Sequence, residues 1–161
     1  MEKIYDLLQQ QLQYCLKIGQ GTLPVLCGIG IQNADIAVLS ALFRRYKILT
    51  EAEAFSFFNQ FRIVDLAVLG ISFFNHQHQF LYPKIKNELL NKFLSQDVHF
   101  ESGTTVWQCY EEQQFEQIAK RTQNEVLYTL YMYDEINTQI RYLKKAEQRL
   151  KHAEKKAKLA L

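Results

Sequence analysis

The last 58 residues, Thr104 to Leu161, contain neither glycine nor proline. A run of that length without a helix breaker predicts one long helix or a helix pair. Its two ends call for different surroundings. Val126-Leu-Tyr-Thr-Leu-Tyr-Met-Tyr133 is apolar on every side, whereas residues 141–161 hold eight Lys/Arg against Glu147 and Glu154, a local net charge of +6. The remaining 140 residues carry eleven basic and fifteen acidic side chains, net −4. A mildly acidic body therefore bears a basic tail, suited either to an acidic partner such as nucleic acid or to a solvated helix end.

From Glu111 onward the pattern is helical. Val126, Tyr133 and Ile140 alternate with Ile136, Leu143 and Leu150 in steps of three and four, the spacing of a short coiled-coil seam. The seam fades after Leu143, where Glu147 and Glu154 occupy core-type positions. Unbroken from 111 to 158, such a helix is about 70 Å long. It must either break near Arg121-Thr-Gln-Asn124 or project toward another chain.

The first part of the chain also reads as helices. Ile4, Leu8, Leu12 and Cys15 recur at helical spacing ahead of the stop at Gly19 and Gly21. Thr22–Ile31 is apolar but punctuated by Pro24, Gly28 and Gly30, which favours a tight bend between helices over a strand. A second helix opens at Asn33 or Asp35 and ends in Arg44, Arg45 and Lys47, where positive charge suits the helix dipole. Thr50-Glu-Ala-Glu53 is a capping box that opens a third. In it Phe57 and Phe61 fall on one face, Phe55 and Phe58 on another. Ile63–Phe74 is a further apolar segment. After Pro83, Lys84–Leu94 is a short amphipathic helix with Ile85, Leu89 and Phe93 inward. Residues 98–108 alternate about Ser102-Gly103 and predict a small hairpin. The fold class is thus all-α with at most one hairpin: a helical core over 1–103 and a long helical extension over 104–161.

Few residues suggest chemistry. No Ser, Cys or Thr stands in a nucleophile setting, no carboxylate pair is distinctive, and no cofactor motif is present. Gly28-Ile-Gly30 lacks the third glycine of a dinucleotide loop. His76, His78, His99 and Cys109 match no zinc framework, and three cysteines at these spacings fit reduced core positions in a cytoplasm. No apolar run is long enough to span a bilayer, and the N-terminus lacks the pattern of a signal peptide. A helix-turn-helix built from Thr50–Asn59 and Ile63–Phe74 would offer base edges only Arg62 and Asp65 among charged residues. The chain reads as non-enzymatic, with no metal and no cofactor.

The blocks Ile4-Tyr5-Asp6 and Ile29-Gly-Ile-Gln-Asn-Ala-Asp-Ile-Ala-Val-Leu-Ser-Ala-Leu42 resemble FlhD. FlhD is the helical subunit of the FlhD–FlhC transcription activator of flagellar genes, and relatives of the pair act on conjugative elements. Leu49-Thr50 and Asn59-Gln60-Phe61 are similar after gaps, so the resemblance covers residues 4–61. Phe43–Ile48 departs from the pattern as an insertion, Ile63 stands where the family carries a dimer-linking cysteine, and residues 104–161 have no counterpart. The resemblance implies a cytoplasmic regulatory subunit that dimerises through helices and assembles with an FlhC-like partner. In the family that partner holds the structural zinc and makes much of the DNA contact.

On this reading the self-association surface draws on Phe55, Phe57, Phe58 and Phe61 with Val126, Leu130, Tyr133 and Ile140. DNA, reached through the complex, would be met by Arg44, Arg45, Lys47 and Arg62, and by Lys144, Lys145, Arg149, Lys151, Lys155 and Lys156. The competing expectation is a helical adaptor or assembly factor, of a mobile element or a secretion system, with no DNA role.

Overall fold

Aromatic rings decide where the first helices meet. In the computed structural model, which describes residues 1–19, 21–74, 82–94 and 102–159, α1 (Glu2–Ile18), α2 (Asp35–Arg45) and α3 (Glu51–Phe58) converge on Phe43, which is fully buried. Its ring stacks on Phe58 at 6.0 Å and meets Tyr5 and Phe57 edge-on at 5.8 and 6.3 Å. Phe61 closes on Phe57 at 5.3 Å. Tyr5, Leu8 and Leu12, one turn apart on α1, supply the inner side of that helix.

Local signals set the helix ends. Gly19 takes φ 74° and stops α1. Asp35 opens α2 and Arg44 and Arg45 close it, in the sense the dipole favours. At α3 the Thr50 backbone N–H donates to Glu53 Oε2 at 2.7 Å, and the Glu53 N–H donates to Thr50 Oγ1 at 3.3 Å, the reciprocal box read from the sequence.

Two segments differ from expectation. Val25–Gly28 forms β1 and Arg62–Asp65 forms β2, paired in parallel with Val25 opposite Arg62 and Gly28 opposite Asp65. Helices α2 and α3 are the crossover that a parallel pair requires. The bend expected within Thr22–Ile31 follows the strand instead of replacing it: Gly30 turns at φ 72°. Gly28 must stay small, since a Cβ there would lie 2.8 Å from Ile31 Cβ. The apolar stretch after Phe61 is likewise not one helix. After β2 come α4 (Leu66–Leu69) and a 3-10 turn over Gly70–Phe73, so a second helix of helix-turn-helix length does not form there.

The chain divides into two compact units, Met1–Ile85 and Lys86–Leu161. In the second, α5 (Lys86–Phe93) buries Leu89, Leu90 and Phe93 and packs on α7 (Phe115–Leu159), which also carries α6 (Gly103–Glu111). This grouping of α5 with α7 puts the division ahead of the 103/104 boundary drawn from composition. Ile85, expected to face inward, is 64% exposed and precedes the helix.

The hairpin expected at 98–108 is corrected over its second half. Ser102 precedes α6 as its N-cap residue, and Val106 and Cys109, three apart, turn to the half-buried side. Local alternation there is overridden by packing on α7. Residues 95–101 lie outside the described residues.

Helix α7 runs 45 residues without a break, about 68 Å. Of the two alternatives, a break near Arg121–Asn124 does not occur: Arg121 and Thr122 are held within the helix. Arg121 Nε donates to Glu125 Oε1 at 3.3 Å, and Thr122 Oγ1 donates to the Ile118 carbonyl at 2.8 Å. Lys86 Nζ reaches Glu125 Oε2 at 2.9 Å and ties α5 to the same turn. Among the described residues no helix is long and apolar enough to cross a membrane. The fold is mainly helical, with seven α-helices and one two-stranded parallel sheet among the described residues.

Candidate assembly interface

Two helices present apolar side chains that their own unit does not cover. On α1, Ile4, Leu7, Tyr14 and Ile18 fall in steps of three and four with Gln11 between Leu7 and Tyr14. All four are exposed, from 42% at Ile4 to 62% at Tyr14. This stripe lies beside the Tyr5–Leu8–Leu12 side that fills the core. The spacing alone joins Ile4 to the inward row. The structure turns it outward, because the inner row begins at Tyr5.

On α7 the fully buried side is marked by Met132 and Ile136. About 180° around the helix at 3.6 residues per turn stand Val126, Leu127, Leu130 and Tyr131, all exposed. Farther along, Leu143 and Leu150 lie on the same side as Met132 but are 62% and 65% exposed.

The residues singled out from sequence are distributed unequally. Phe57, Phe58 and Phe61 are core residues and Phe55 alone of the four is at the surface, 73% exposed. Helix α3 turns Phe55 away from the side shared by Ala54, Phe57 and Phe58, and Phe61 packs from the turn that follows, so three of the four rings are already occupied within the chain. Val126 and Leu130 are exposed, while Tyr133 and Ile140 are half-buried beside Met132 and Ile136.

Arg44, Arg45, Lys47 and Arg62 are all exposed. Arg44 Nη1 lies 3.6 Å from Glu51 Oε2, an exposed pair worth about 0–1 kcal/mol. Arg44 and Lys47 line an open groove with Ile48, Leu49, Thr50, Glu51 and Glu53, so the cations there share the groove with carboxylates. Arg62 stands apart in the fold's logic: it begins β2, and its N–H donates to the Pro24 carbonyl at 2.9 Å.

The tail is more ordered in charge than its sequence suggests. Lys144, Lys145, Arg149, Lys151, Lys155 and Lys156 are all exposed on α7, and at about 100° per residue they share one half of the helix. Lys151 pairs with Glu147 one turn earlier. Leu143, Ala146 and Leu150 fall on the other half, with Glu147 among them.

Asp65, which the sequence offers only as a poor candidate for base edges, has a structural role that the sequence does not show. It is buried at the end of β2, and its Oδ1 accepts from Gly30 N–H at 2.9 Å and Ala67 N–H at 3.0 Å. It thereby caps α4 and fastens the turn that leads to α2. Burial, with the Asp65 carboxylate next in effect, pushes the Cys27 thiol up to about 11. A thiol so held is a poor nucleophile.

Among the described residues no group of three His, Cys, Asp or Glu side chains is placed to hold a metal ion. His76, His78 and His99 lie outside the described residues. Cys109 Sγ donates to Gln117 Oε1 at 3.9 Å. No family model matches the chain, and no curated protein or solved structure matches it.

Proposed function

We propose that this chain is a non-enzymatic, helical subunit of an FlhD-type transcription activator, self-associating and joining an FlhC-like partner at promoters. The observation that carries the assembly half of this reading is the exposed stripe Ile4–Leu7–Tyr14–Ile18 on α1. A helix that already buries one side in its own core has no internal use for a second apolar row, and such rows mark partner surfaces. That stripe lies within residues 4–61, the part of the chain that resembles FlhD.

The DNA half rests on the resemblance and on the one-sided basic tail. The groove near Arg44 and Lys47 mixes charges with Glu51 and Glu53, so it is too weak to hold DNA alone and serves only inside a larger complex. That same mixing favours the second reading, a helical adaptor that assembles through α1 and never meets DNA.

Co-expression with the protein encoded by the neighbouring open reading frame separates the two. On the activator reading, the two chains co-purify and together shift a promoter fragment in a gel. Charge reversal at Arg44 and Arg45 weakens that shift without loss of the complex. A stable complex that retards no DNA leaves the adaptor. Specific nanomolar binding by the isolated chain refutes the need for a partner.

A further inference from the structure

We infer that α7 pairs with α7 of a second copy, antiparallel, about an axis that crosses between Tyr128 and Thr129. This rests on reading the chain as an assembly subunit and is independent of its tie to promoters. The centre of the surface is the island Val126, Leu127, Leu130 and Tyr131, between 39% and 63% exposed. Positions i, i+1, i+4 and i+5 make one compact patch over two turns. Gln123 and Asp134, both exposed, bound it at either end. An island of this kind covers itself when two copies meet head to tail, because 126 then lies opposite 131 and 127 opposite 130.

Charge selects the direction. The exposed side that holds the island also presents Glu116 and Lys120 before it, and Asp134, Thr138 and Arg141 after it. Run antiparallel about this axis, Glu116 of one copy faces Arg141 of the other, and the reverse pair forms by symmetry. Lys120 then faces Asn137, and Asp134 faces Gln123, so no like charges oppose one another. Run parallel, Glu116 meets Glu116, Arg141 meets Arg141, and both tails bring Lys144, Lys145, Arg149, Lys151, Lys155 and Lys156 together, a strong like-charge repulsion.

The area is adequate. The four island residues show on the order of 350 Å² per copy, the core of an interface that needs roughly 800 Å² per partner. The flanks from Glu116 to Arg141, about 37 Å of helix, supply a polar rim.

The full-length chain tests this. Light scattering at micromolar concentration is expected to give twice the 19.0 kDa chain mass, and Leu130→Asp to give a monomer with unchanged helix content. Glu116→Arg and Arg141→Glu are each expected to weaken the dimer about tenfold, since two reciprocal pairs turn repulsive at once. The double variant Glu116→Arg/Arg141→Glu is expected to recover most of the loss. A monomeric wild-type chain overturns the proposal, as does a dimer indifferent to Leu130→Asp, or a double variant weaker than both singles. A monomer that still captures its co-expressed partner overturns this pairing and leaves the assembly reading standing. A dimer that captures neither partner nor DNA does the reverse.

Discussion

Replacing Asp65 by alanine removes the carboxylate, and with it the one oxygen on which two amides converge. Asp65 Oδ1 accepts from the Gly30 N–H and the Ala67 N–H, and Asp65 itself is only 9% exposed. An unsatisfied buried donor costs about 1–3 kcal/mol. The Ala67 amide, which sits in the buried bond, bears that cost in full, whereas the part-buried Gly30 amide recovers some of it from water. The expected loss for Asp65→Ala is therefore about 2–4 kcal/mol, a large fraction of a stability of about 5–15 kcal/mol. Asp65→Asn keeps a carbonyl oxygen that can accept the same two bonds. It gives up charge assistance but also relieves a buried carboxylate, so its cost is expected to stay near about 1 kcal/mol. Urea denaturation followed by circular dichroism measures both variants, and amide exchange at Gly30 and Ala67 reports the two bonds directly. If Asp65→Ala unfolds at the same urea concentration as Asp65→Asn, with both amides still protected, the account of Asp65 as the tie between β2 and the β1–α2 turn is wrong.

Three other outcomes are expected. The Cys27 thiol is raised from 9.0 to about 11 in the folded chain. The folded state therefore binds that proton more tightly, and its stability contribution is complete below about pH 9 and lost as pH rises through about 11. Cys27→Ala should flatten the alkaline limb of a stability–pH curve, and an unchanged limb would count against it. Thr50→Ala should cost about 1 kcal/mol in chemical denaturation. The Thr50 backbone N–H, with its hydroxyl next in effect, holds the Glu53 carboxyl below its usual range. The capping box is therefore complete at neutral pH and weakens on acidification through that lowered range, and a cost under about 0.3 kcal/mol would show the box to be idle. Deleting residues 146–161 should leave the fold and oligomer intact and lower the complex's affinity for all DNA sequences alike. The salt slope should flatten by about 0.9 for each phosphate that the tail no longer neutralises. Unchanged affinity at low salt would make the tail a solubility feature.

How much of this was legible depends on the range over which each signal acts. The capping box at Thr50 and Glu53, the stop at Gly19 and the dipole-matched ends of α2 are decided within one helical turn, and the sequence states them plainly. Strands β1 and β2 are four residues each and exist only because helices α2 and α3 return the chain beside itself. Nothing within Val25–Gly28 or Arg62–Asp65 announces a parallel partner so far along the chain. The role of Asp65 is hidden for the same reason, since its acceptor matters only once Gly30 lies next to it. The outward row on α1 was readable in principle. Ile4, Leu7, Tyr14 and Ile18 keep three–four spacing once Gln11 is counted in the row, yet Ile4 fits two rows, and only the position of Phe43 against Tyr5 decides between them.

Helix α7 shows how far a pattern can carry and where it stops. The absence of glycine and proline from 104 onward allows one long helix or a helix pair, and α6 and α7 are the pair; the alternating apolar positions point to a buried side. Composition could not say where cover ends along the helix. Met132 and Ile136 are sealed, while Leu143 and Leu150, on the same side and of the same character, are open. The difference is made by neighbours: α5 and α6 pack on α7, and its exposed residues 141–153 extend beyond any such cover. An isolated helix of that length is marginal in water, so this end depends on nucleation by the packed turns before it, helped by pairs such as Glu147 with Lys151. Such an end keeps its charge in solvent and its shape from the fold.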